Sequence, residues 1–302
     1  MTNTHTTVAR AATALLAVAL LPACTKRLTI DEETVNTHLD RVTEDWPMCR
    51  AIEAGAAPLV DMGARAAGSC GGEVTATFEH GNGDTDYSVT FDAFCLQTEE
   101  GPMTIDGDLR VFEDGTPSDF GPVIDRRTMD SVGPLHSEGP FGTLDAEITG
   151  FEWAYGYPDV DPGVPDDANP DVITLQSLEV TVEGGRVDVI RNVELTATGD
   201  TTRTIRMLDG EIGSEQDGVA DMMTPEDDPL VLDMTDLSIV SGSLEFHGAG
   251  NSVLVATPDP TRPGVYTLTV NGEAFDRDVD CSGALSPLIA AMVAMAFEVP
   301  LF

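Results

Sequence analysis

The stretch EVTATFEHGNGDTDYSVTFD, residues 73–92, decides the fold. Val74, Ala76 and Phe78 alternate with Thr75 and Thr77, and Tyr87, Val89 and Phe91 alternate with Ser88, Thr90 and Asp92. A period of two belongs to a strand with one face buried, and the Gly/Asn/Asp cluster between His80 and Asp84 supplies a turn, so the stretch reads as a β-hairpin.

The same period continues downstream. Met103, Ile105, Leu109 and Val111 mark a third strand, and Leu144, Ala146 and Ile148 another. Leu178, Val180 and Val182 run into Gly184-Gly185 and return through Val187 and Val189 as a second hairpin. Segments 205–212, 230–240, 243–247, 252–256 and 265–270 extend the series. Many short strands joined by short turns predict a mainly β protein with a large curved antiparallel sheet, or a partly open barrel or sandwich. Four segments place a glycine between apolar flanks: IDGDL at 105–109, LDGEI at 208–212, VSGSL at 240–244 and VNGEA at 270–274. Glycine inside a strand marks a bulge or bend and otherwise an ordinary turn.

Helical text flanks the sheet. Asp31 is placed to cap a helical region over 32–70, with Val35, Leu39 and Val42 on one stripe and Pro47 dividing it. At the other end, residues 285–297 are apolar nearly all round, which predicts a buried helix in a β domain spanning 71–302.

The N-terminus carries a different signal. Polar residues with one cation, Arg10, precede the apolar run AATALLAVALL at 11–21, which suits a secretory h-region and is too short to span a bilayer. Leu21-Pro22-Ala23-Cys24 then resembles the lipobox of bacterial lipoprotein precursors. The resemblance covers only the first 24 residues and identifies no family for the rest. It implies that 1–23 is a signal peptide, that Cys24 carries a thioether-linked lipid with palmitate-type acyl chains, and that 24–31 is a lipidated tether. Thr25, where enteric lipoproteins held in the inner membrane carry Asp, implies the outer membrane or cell surface.

Charge narrows the partners. The 302 residues hold 53 acidic and 15 basic side chains, for a net charge of -38, and Lys26 is the sole lysine. Such a surface repels nucleic acid and anionic head groups, and it gains from salt that screens its self-repulsion. Besides Cys24, the cysteines are Cys49, Cys70, Cys95 and Cys281, an even set that reads as two disulfides in an oxidising compartment. Of three pairings, the preferred one joins Cys49 to Cys70 and Cys95 to Cys281.

Catalytic motifs are missing: the sequence has no nucleophile elbow, zinc helix or phosphate loop. The best metal candidate is the loop of residues 159–171, where Asp159, Asp161, Asp166, Asp167 and Asp171 offer oxygens to calcium, although three prolines equally fit an exposed connection. A second acidic loop, 214–229, reads as a mobile connection. The expected protein is a lipid-anchored envelope protein acting as a non-enzymatic binding or carrier module for an apolar ligand or envelope partner. The alternatives are a structural or adhesive surface lipoprotein, and a hydrolase with an unrecognised site.

Overall fold

The computed structural model describes residues 26–35, 65–67, 70–80, 84–97, 102–118, 121–139, 142–156, 167–199, 201–233, 238–262 and 265–280. They form one antiparallel sheet. Its strands are β1 (Arg65–Ala67), β2 (Gly71–His80), β3 (Thr85–Gln97), β4 (Pro102–Ser118), β5 (Gly121–Ser131), β6 (Leu135–Gly139), β7 (Gly142–Ala154), β8 (Asp171–Val182) and β9 (Val187–Thr198). There follow β10 (Thr202–Ser214), β11 (Gly218–Met223), β12 (Leu230–Asp233), β13 (Ser238–Ser241), β14 (Leu244–His247), β15 (Val253–Pro258), β16 (Val265–Val270), β17 (Glu273–Ala274) and β18 (Val279–Asp280).

The chain meanders, most strands pairing antiparallel with the next, from β1–β2 to β4–β5 and from β6–β7 to β10–β11. Val74 lies opposite Phe91, Ala76 opposite Val89 and Phe78 opposite Tyr87, so the opening hairpin has the register its alternation requires. Several strands are two collinear pieces: β5 and β6 both lie between β4 and β7, and β11 and β12 both pair with β10. The run 230–240, read as one strand, divides into β12 and β13, which pair with each other.

A row of irregular residues crosses the sheet. Ala93 in β3 (φ 45°), Gly107 in β4 (φ 133°), Gly133 between β5 and β6 (φ 81°), Gly150 in β7 (φ 63°) and Asn192 in β9 (φ 53°) interrupt successive strands. Phe91 pairs with Gly107, Met129 with Phe151, and Thr149 and Arg191 both with Ser177, which places these breaks side by side. Their effect is on facing. Ile148 and Phe151 have opposite parity, as do Ile190 and Val193, and Phe91 and Phe94, yet all six enter one hydrophobic cluster. A regular strand would have sent one member of each pair to solvent; the irregular residue turns it back. Of the four sequence glycines, Gly107 sits in this row, Gly210 lies beside a register shift in β10, Gly242 (φ 93°) separates β13 from β14, which pair with β12 and β11, and Gly272 (φ 84°) occupies a turn.

Three expectations change. Residues 32–70 are not helical throughout: Glu32–Val35 form a helical turn, but Arg65–Ala67 is a strand on β2, with Ala66 opposite Val74. Its alternation is too short to register as a period. The capping reading of Asp31 holds, since the Thr34 amide donates to Asp31 Oδ1 at 2.8 Å. The preferred disulfide pairing is replaced by Cys70–Cys95, because the β2–β3 register sets Gly71 opposite Cys95 and brings the Cys70 and Cys95 Cα atoms to 5.1 Å, within bridging range. The acidic segment 214–229 contains β11, paired with β10 and β14, and is no simple loop. Residues 36–64 and the segment 285–297, where the sequence predicts a helix, lie outside the described residues, as do Cys24, Cys49 and Cys281.

Candidate functional site

Two built features stand at opposite ends of the strands. The first is the N-terminal segment, which was read as a tether. From Lys26 it is hydrogen-bonded into the sheet. The Val219 amide donates to the Lys26 carbonyl and the Leu28 amide to the Val219 carbonyl, each at 2.9 Å. The Ala249 amide donates to the Leu28 carbonyl at 2.7 Å, the Ile30 amide to Ser252 Oγ at 3.0 Å, and Asn271 Nδ2 to the Ile30 carbonyl at 3.2 Å. Lys26 Nζ donates to the Gln216 carbonyl at 2.9 Å and Arg27 pairs with Asp221.

Local chemistry explains the docking. Glu211 lies opposite Asp221, an acid pair that a cation relieves, and the hydrogen bond and charge of Asp221 raise the Arg27 pKa. Space is provided by two glycines. A Cβ on Gly248 would stand 2.4 Å from the Leu28 carbonyl oxygen, and one on Gly218 would stand 2.6 Å from the Lys26 carbonyl oxygen. Ile30 and Val35, 3% and 5% exposed, join the main apolar cluster. The segment is therefore a strap, part of the folded domain.

The second feature is a group of buried charges on the core-facing side of the other end. Glu113 in β4 is directly opposite Arg127 in β5, and Arg127 is opposite Trp153 in β7. Arg127 donates through Nε to Glu113 Oε1 at 2.8 Å, while Tyr87 donates to Oε2 at 3.1 Å. Nearby, Arg203 Nη1 donates to Asp171 Oδ2 at 2.7 Å, and Asp171 Oδ1 accepts the Gly156 amide at 2.8 Å. Tyr155 stacks on Trp153 with ring centroids 3.8 Å apart. Burial, and then the Glu113 charge, push the Tyr87 phenol up to about 12; burial drives Tyr155 up as well. Each carboxylate faces a guanidinium, an arrangement that satisfies buried charge.

The sequence-predicted ligands divide. Cys70 and Cys95 are bonded to each other. Asp159, Asp161 and Asp166 lie outside the described residues; Asp167 is exposed in the turn before β8, and Asp171 is bound to Arg203 and Gly156. Among the described residues no three His, Cys, Asp or Glu side chains gather as a metal-binding group. His136 contacts Asp145 and His247 contacts Glu245, each at 2.8 Å, on separate strands. The sequence reading missed β5 altogether, and with it Arg127. The available signal was a pair of arginines, Arg126 and Arg127, in a chain poor in cations, where alternation with Met129 turns Arg127 inward.

The fold and these features define a class: a single meandering antiparallel sheet with an N-terminal strap bound across one end. Comparison with protein-family models, curated proteins and solved structures finds no match.

Proposed function

We propose that the chain is a lipid-anchored envelope protein, attached through acyl chains on Cys24 and acting as a non-enzymatic binding module for an envelope partner or an apolar ligand. The observation that carries this reading is the strap. Lys26, Leu28 and Ile30, which begin two residues beyond Cys24, are bonded to β11 or to the turns around β14, β15 and β16, so an anchor at Cys24 would hold the whole domain close to the membrane. Two acyl chains suffice for stable attachment. The acidic surface supports the same division of labour, because it adds no attraction to anionic lipid.

A binding role is supported by the row of backbone irregularities, which bend strands and let a broad sheet curve. It is supported too by the buried acids, which face guanidinium groups as structural ion pairs do. The test isolates the protein from envelope membranes in mild detergent and records native mass spectra of the domain released from its acyl chains. A defined adduct, lipid or protein, is the expected result. A domain with no adduct, and no partner cross-linked in the intact envelope, would favour a structural or adhesive lipoprotein.

A further inference from the structure

We infer that the protein stands upright on the bilayer, with the turns at 183–186 and 215–217 toward the lipid and the end bearing Arg127–Glu113 and Arg203–Asp171 away from it. This rests on the acylation of Cys24 proposed above and adds an orientation to it.

Two peptide units separate Cys24 from Lys26, a reach of about 7 Å at most. Lys26 Nζ is bonded to the Gln216 carbonyl, in the turn between β10 and β11. The Gln216 side chain in turn donates to the Gly185 carbonyl at 3.3 Å and accepts the Val187 amide at 3.2 Å, in the turn between β8 and β9. The anchor point is therefore fixed to one corner, where two hairpin turns meet. From there the strap continues across the same end of the sheet, over Val219, Ala249, Ser252 and Asn271, in the space left by Gly218 and Gly248.

The opposite end is out of reach. β10 runs 13 residues from Thr202 to Ser214, a span of about 40 Å for an extended strand. The sheet also resists lying flat. Glu147 lies directly opposite Glu179 and Glu194 opposite Asp209, so its solvent face presents paired negative charge to any anionic surface. The turns of the strap end carry Glu183, Glu215 and Asp217, so the acyl chains on Cys24, and not surface charge, bring this end to the lipid.

The experiment uses full-length acylated protein carrying an azide-bearing phenylalanine at Glu215 or at Thr201, the exposed positions just beyond the two ends of β10. Each is coupled to a fluorophore and reconstituted into phosphatidylethanolamine–phosphatidylglycerol vesicles with a head-group quencher. The label at Glu215 should be quenched several-fold more than the label at Thr201. Gly218→Ala, which crowds the Lys26 carbonyl at the corner itself, should erase most of that difference while the protein stays on the vesicles. Equal quenching at the two sites, stronger quenching at Thr201, or a difference unaffected by Gly218→Ala overturns the orientation. Mass spectrometry of the N-terminal peptide separates the two failures: a chain without acyl groups that does not sediment with vesicles removes the anchor itself, and the orientation with it.

Discussion

Glu113 and Arg127 face each other directly across β4 and β5, with only 6% and 5% of their side chains exposed. A buried pair of this kind adds little over well-packed apolar groups, yet breaking it strands a charge. Arg127→Met should therefore lower unfolding free energy by about 3–5 kcal/mol. The double variant Glu113→Gln/Arg127→Met should recover much of the loss. Urea unfolding of the three proteins checks this, and equal stability of wild type and Arg127→Met would contradict it.

The Cys70–Cys95 bridge closes a loop of 25 residues. Chain-entropy arguments assign such a loop about 3.5 kcal/mol of stability. With that pair fixed, a second bridge from the remaining cysteines joins Cys49 to Cys281. Non-reducing peptide mapping of protein from the envelope should find both bridges. A peptide linking Cys49 to Cys70 would contradict the register of β2 on β3.

Burial, with the Glu113 charge second, holds the Tyr87 phenol at about 12, above the ordinary value near 10. The neutral form is favoured in the folded state, so its contribution is complete below the unfolded pKa of about 10 and is lost as pH rises through the folded value. Stability should fall across that alkaline window. In a phenolate absorbance titration, Tyr87→Phe should remove one late-titrating group. An unchanged count of late tyrosines would contradict the assignment.

Among the described residues five acid pairs lie directly opposite one another on neighbouring strands: Glu73–Asp92, Glu147–Glu179 and Glu194–Asp209, together with Glu79–Asp86 and Glu211–Asp221, which Arg110 on Asp86, Arg191 on Glu211 and Arg27 on Asp221 partly offset. Cross-strand neighbours of like charge repel, and molar salt cuts the screening length to about 3 Å. The melting temperature should rise between dilute buffer and molar sodium chloride. A constant or falling value would show that these pairs cost nothing.

Alternation made much of the sheet legible from its residues. The hairpin at 73–92 and the turn at Gly184-Gly185 were readable because one face of each strand is apolar. Strand β5 was not, since its inward positions include the charged Arg127. Gly107 and Gly272 look alike in sequence, yet one is an in-strand irregularity and the other a turn; pairing partners decide between them, and those lie far away in the chain. The strap was illegible for a similar reason: Lys26 and Arg27 read as tether charges, and only the fold brings Gln216 and Asp221 beneath them. The buried ion pairs also needed the register, because neither Glu113 nor Arg203 belongs to a local motif.

Cys24 lies two positions before Lys26, the first described residue of the strap, and the proposed anchor depends on it. Its most direct test is the intact mass and membrane fractionation of the wild-type protein and of Cys24→Ser, both expressed from the full chain. Wild type should carry a diacylglycerol thioether with its first 23 residues removed and should partition with membranes, while Cys24→Ser should remain an unacylated precursor. A Cys24→Ser protein that is processed at the same bond and stays membrane-bound after the same extraction would contradict the lipid anchor.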